Sequence, residues 1–130
     1  MANKISCPIF RKTVFDKYDG HCAYCGCRLG VKFTIDHFIP KRRYKYRYSW
    51  KSDLEVGSTS IENSMPCCQS CNSSKSDLTL DQFRERILDR VVRLNNLSGE
   101  YNIAKRFGLI AEVSNEVIFY FEKFEMQCQE

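Results

Sequence analysis

Behind Pro8, apolar residues recur at every fourth position, at Phe10, Val14 and Tyr18. Proline suits a helix's first turn, where its missing N–H would have had no partner, so the spacing predicts an amphipathic helix that Gly20 stops. From Val31 to Ile39 β-branched and aromatic residues crowd together until Pro40, which predicts a strand. Alternation puts Val31, Phe33, Ile35 and His37 on its core face. Arg43 to Lys51 also alternates, with Tyr44, Tyr46, Tyr48 and Trp50 on one side and Arg43, Lys45, Arg47 and Lys51 on the other. A polar loop follows from Ser52 to Ser60. Thr79-x-x-Gln82 reads as a capping box opening a helix whose apolar stripe is Leu80, Phe83, Ile87, Val91 and Leu94. A shorter helix, about Tyr101 to Phe107, is closed by Gly108. Leu109 to Phe121 reads as a small β-hairpin around Ser114-Asn115, with a helix as the alternative. Strands early and helices late make the class α+β.

A length of 130 residues suits a single domain, 1–130, with a core small enough to need supplementing. The net charge of +4 is unevenly placed. Lys41, Arg42, Arg43, Lys45, Arg47 and Lys51 fall in one acid-free stretch, and the rest of the chain is slightly acidic. A local positive strip fits a phosphate backbone better than general stickiness. With the interleaved aromatics it reads either as a nucleic-acid ribbon, cations on phosphates and rings free to stack, or as a solvated edge strand. No apolar stretch is long enough to span a bilayer and no export signal is evident, so a reducing, cytoplasmic setting is expected.

The eight cysteines change the picture most. Cys22-Ala-Tyr-Cys25 and Cys68-Gln-Ser-Cys71 each have the C-x-x-C spacing by which a knuckle offers two thiolates to a tetrahedral metal. Two such grips make a closed structural zinc site. The stretch between the pairs is far longer than the roughly 15–20 residues of an ordinary zinc ribbon. Cys27 and Cys67 adjoin the pairs and are alternative ligands, although only the C-x-x-C choice has standard knuckle spacing. Gly26 is available for the left-handed turn of the first knuckle. Cys7 and Cys128 read as isolated thiols or small hydrophobes. The segment Asn72 to Lys75 is suited to the first turns of a short helix starting inside the second knuckle.

Between the pairs lies Asp36-His37-x-x-Pro40, then Asn63, and after them Cys71-Asn72-x-x-Lys75. In order, residue type and spacing this set resembles the HNH endonucleases of the four-cysteine zinc type, with Asn at the third motif position. The resemblance spans residues 11–77 as a nuclease core and leaves 78–130 as a helical and strand extension. It implies a ββα-metal fold, two strands bearing the site and a helix across them, with zinc clamping the ends. It also implies a phosphodiester hydrolase, with His37 as general base, Asp36 and Asn72 holding one catalytic Mg²⁺ or Mn²⁺, and Asn63 fixing the loop that carries His37. An imidazole is an apt base because it ordinarily titrates near 6.5. Oxygen ligands are apt because Mg²⁺ is a hard cation. The long link between His37 and Asn63 departs from the family pattern.

Lys75, Lys41, Arg42, Arg43, Lys45, Arg47 and Lys51 are the candidate phosphate contacts. The expected partner is DNA, with RNA not excluded, and the expected source a prokaryote or phage. The rival from another class is a zinc-stabilised nucleic-acid-binding module that does not cut. One geometric demand stands out: adjacent strand residues point to opposite faces, so a twist or bulge near the strand's end, just before Pro40, is expected if Asp36 and His37 are to serve one site.

Overall fold

A computed structural model describes residues 4–41 and 57–128 of the chain. After a 3₁₀ turn at Lys4–Ser6, helix α1 spans Pro8–Asp16 with the proline in its first turn and buries Phe10 and Val14. Past its end, Lys17 reaches across to the carbonyls of Ile61 and Ser64 at 2.9 and 2.7 Å. That ammonium ties the helix to the approach of the second strand.

Strands β1, Thr34–His37, and β2, Ser64–Cys67, form a two-stranded antiparallel sheet. The register runs one for one, from Thr34↔Cys67 and Ile35↔Pro66 to Asp36↔Met65 and His37↔Ser64. No bulge interrupts the pairing from Thr34 to His37. The expected face is also corrected: Val31 lies before the strand and is 94% exposed, while Phe33, Ile35 and His37 are only half-buried. The most buried residue of β1 is Asp36. Alternation set its apolar residues inward, but the buried face of this short sheet is the one met by the first knuckle and by the helix that follows β2.

That helix, α2, covers Gln69–Lys75 and starts inside the second knuckle, where the Cys68 sulfur accepts from the Cys71 N–H at 3.4 Å. Two strands with a helix against them make the ββα core that the family resemblance implied. Helix α3 follows at Leu80–Leu97, α4 at Gly99–Arg106 with Ser98 as its N-cap, and α5 at Tyr120–Cys128. None is long and apolar enough to cross a membrane.

The expected β-hairpin in the extension does not form. Residues 110–119 have no regular structure, and α5 begins at Tyr120. Two aromatics of the apolar run are buried all the same: Phe119 and Phe121 stack on each other and set their edges against Tyr24. The backbone N–H groups of Tyr120 and Phe121 donate to the carbonyls of Tyr24 and Ala23 at 3.0 and 2.8 Å. A knuckle thus supplies the acceptors that a neighbouring strand would have supplied.

By compactness the chain divides into Met1–Leu80 with Ile118–Glu130, and Asp81–Val117. Within the second unit the Arg84 guanidinium donates to the Val117 carbonyl, and Tyr101 and Lys105 of α4 meet Glu112.

Candidate functional site

Four sulfurs around one zinc at about 2.3 Å stand about 3.8 Å apart along each edge of their tetrahedron. The sulfurs of Cys25 and Cys68 are 3.8 Å apart, and those of Cys22, Cys25, Cys68 and Cys71 all lie within 4.8 Å of one another. The donor set and its spacing fit a structural zinc. Cys22 is buried, and hydrogen bonds from Cys67 and then Cys71 hold its thiol well below the ordinary range. Cys67 belongs to the site as a donor to Cys22, and neither it nor Cys27 joins the four-sulfur group. Gly26 closes the first knuckle at φ +79°, where a Cβ would also come within 2.8 Å of the Tyr120 ring.

The clamp holds α2 against β1, and a buried polar junction forms there. Lys75, in the last turn of α2, is fully buried. Its Nζ lies 3.0 Å from Asp36 Oδ2 and donates to the His37 carbonyl, also at 3.0 Å. Tyr24, the spacer residue of the first knuckle, donates its hydroxyl to the same Oδ2 at 2.5 Å. Burial, reinforced by the Asp36 carboxylate, pushes the Tyr24 pKa far up, so it stays a neutral phenol and a donor. A carboxylate taken out of water needs such partners, because burying an unpaired charge is very costly.

This placement corrects the expectation for Lys75. An ammonium with no exposure cannot serve as a surface phosphate contact, and Lys75 instead pairs internally with Asp36. Lys41 is exposed as expected. Arg42, Arg43, Lys45, Arg47 and Lys51 lie outside the described residues.

His37 is the last residue of β1, and the chain beyond it is gripped by Asn63. The Asn63 side chain accepts from the Ile39 N–H at 2.7 Å and donates to the Ile39 carbonyl at 3.0 Å and the Ser58 carbonyl at 2.7 Å. Its backbone carbonyl takes the Phe38 N–H at 2.9 Å. One buried amide thus satisfies both backbone groups of Ile39, two residues past His37, and joins them to the loop at Ser58. Gly57 runs alongside: a Cβ there would collide with the Ile39 carbonyl and come within 2.7 Å of Asn63 Nδ2. Only glycine leaves room for the clamp.

Asn72 is half-buried and sits one turn before Lys75 on α2. Residues three apart share a helix face, so Asn72 stands on the same side of α2 as Lys75. Asp36 and Asn72 each carry an oxygen donor of the hard kind that Mg²⁺ or Mn²⁺ takes while keeping several waters. Sequence reasoning passed over Tyr24 and the inward turn of Lys75. The available signal was their position: Tyr24 inside a metal knuckle is anchored on both sides, and Lys75 follows Asn72 at i+3.

Residues 22–78 match the family model for HNH endonuclease. No curated protein matches the chain. An HNH domain is a nuclease domain, so nuclease is the general class of activity that this match supports.

Proposed function

We propose, from the premise that residues 22–78 are an HNH endonuclease domain, that the protein hydrolyses phosphodiester bonds in DNA with one divalent metal. The observation that carries this reading is the junction at the end of β1. There Asp36 and His37 are adjacent, α2 lies against them through Lys75, and Asn63 grips the chain just beyond.

Each residue has a task in that arrangement. His37 takes the proton from the attacking water, for which an imidazole held at a fixed strand end is well placed. Asn63 keeps the backbone after His37 in one conformation through two hydrogen bonds to Ile39, and so aims the ring. Asp36 and Asn72 hold Mg²⁺ or Mn²⁺ from neighbouring elements. The ion, when bound, neutralises phosphate charge and eases departure of the 3′ oxygen. Because β1 is regular, Asp36 and His37 act from opposite sides of the strand's end. A phosphate that is to meet both residues has to lie beyond that end. Lys41, with Arg42, Arg43, Lys45, Arg47 and Lys51 in sequence after it, supplies cations for the flanking backbone. Zinc has the separate task of holding the two knuckles, and with them α2, in register.

The test is cleavage of supercoiled plasmid by the zinc-loaded protein in Mg²⁺ or Mn²⁺, beside His37→Ala. Loss of a general base is expected to slow cleavage about 10²–10⁴-fold, with zinc content and DNA binding unchanged. Equal cleavage by a folded His37→Ala protein removes His37 from the mechanism. Absence of cleavage by the wild type, with DNA still bound, leaves a zinc-stabilised binding module.

A further inference from the structure

Asp36 has two oxygens, and its surroundings treat them differently. Oδ2 receives the Tyr24 hydroxyl at 2.5 Å and the Lys75 ammonium at 3.0 Å. These donors come from separate elements, one from the first knuckle and one from the end of α2, and both are buried. The ammonium is also fixed from a second side by the His37 carbonyl at 3.0 Å. Neither group can turn away without giving up a buried partner.

We propose that Tyr24 and Lys75 are positioning residues that occupy Oδ2 and leave Oδ1 as the single oxygen Asp36 presents to the divalent ion. The inference rests on the reading of Asp36 as a metal ligand and adds which ion the site accepts. Mg²⁺ and Mn²⁺ are suited by one oxygen per carboxylate in a near-octahedral shell, whereas Ca²⁺ is larger and readily takes a carboxylate through both oxygens. Filling Oδ2 from behind withholds the two-oxygen mode. Tyr24 and Lys75 therefore set the preference for small octahedral ions, without touching the ion. Lys75 also ties the backbone of His37 to the same anchor, so that ligand and base keep a constant separation.

The experiment is a titration of the zinc-loaded protein with Mn²⁺ and with Ca²⁺, without DNA, comparing wild type with Tyr24→Phe. That variant removes one oxygen and keeps the ring among Phe119 and Phe121. Disturbing a partner of a metal-ligating group typically costs about 10–100-fold in affinity. Mn²⁺ affinity is accordingly expected to fall by about tenfold and Ca²⁺ affinity by clearly less, with zinc content unchanged. Lys75→Met, where it folds, is expected to shift the ratio the same way. Unchanged Mn²⁺ affinity in Tyr24→Phe, or parallel losses for both ions as general loosening would give, overturns the inference while the nuclease reading stands. A wild type that binds Mn²⁺ selectively but does not cut plasmid removes the nuclease reading and leaves this one to be decided by the same titration. A wild type that takes up no Mn²⁺ overturns both.

Discussion

In the unit that contains both knuckles, Asp36, Asn63, Ser64 and Lys75 are buried, and their partners come from distant parts of the sequence. In Asp81–Val117 the denser polar cluster lies at the surface. Asn95, Tyr101 and Lys105 converge on Glu112 at 2.6, 2.8 and 3.0 Å, all in contact with water. Its apolar residues are also more open, with Val92, Ile103, Phe107, Leu109 and Val113 exposed. Burying polar groups is expensive and is retained where a site needs fixed geometry; a surface cluster lets neighbouring segments pair cheaply and reversibly. The contrast marks the first unit as the one that holds its polar groups in fixed, buried geometry.

The largest expected effect breaks the first unit outright. Cys68→Ser removes one of four ligands, and structural zinc in small domains supplies on the order of 10 kcal/mol of folding free energy. Elemental analysis is expected to show zinc lost, and circular dichroism to show the knuckle unit unfolded at room temperature. Retention of zinc and fold would move the site onto another sulfur, with Cys67 first in line.

Next in size is Lys75→Ala, which strands the Asp36 carboxylate in a buried setting. Removing one partner of a buried pair costs about 3–5 kcal/mol, read as a shift of the urea midpoint at full zinc loading. Replacing both partners, Asp36→Leu with Lys75→Met, is expected to recover part of that stability, because apolar pairs often substitute for buried ion pairs, the remainder being the cost of taking the acceptor from the buried Tyr24 hydroxyl. The double variant is not expected to recover Mn²⁺ binding. Recovery of folding without recovery of the metal identifies the pair as serving the site; recovery of neither assigns it to the fold.

How much of this was legible beforehand follows from the range of the interactions involved. The zinc clamp is written as local spacing, two C-x-x-C pairs, and the four sulfurs gather as that spacing requires. Helices α1, α3 and α4 lie where apolar periodicity put them, and that signal is also local. Asp36 and His37 were found as a motif, but the environment of Asp36 depends on Tyr24 and Lys75, brought together only by folding. Lysine at a short helix's end reads as solvated until the strand it meets is known. The run Val117–Phe121 shows the same limit from the apolar side. Its burial is evident in sequence, yet strand or helix is decided by whether its N–H groups find a strand or, as here, the carbonyls of Ala23 and Tyr24.

The smallest effect tests the surface cluster. Hydrogen bonds from Asn95, Tyr101 and Lys105 lower the Glu112 pKa from 4.5 to about 2. A depressed carboxylate contributes stability that is complete above its unfolded value and is lost as pH falls toward the folded one. Hydrogen-exchange protection of α4 in wild type is therefore expected to exceed that of Glu112→Gln slightly at pH 5, and the gap to close as pH falls from about 4.5 toward 2. A gap that persists at the acid end assigns the protection to packing.

The pairing of Tyr120 and Phe121 with the first knuckle also sets an order of events during synthesis. Cys22 and Cys25 leave the ribosome early, but the carbonyls of Ala23 and Tyr24 wait for N–H groups encoded far downstream. Until Phe119 and Phe121 arrive, the ring that carries the hydroxyl for Asp36 lacks its aromatic backing. Closing this corner of the first knuckle thus waits on the synthesis of a segment far along the chain.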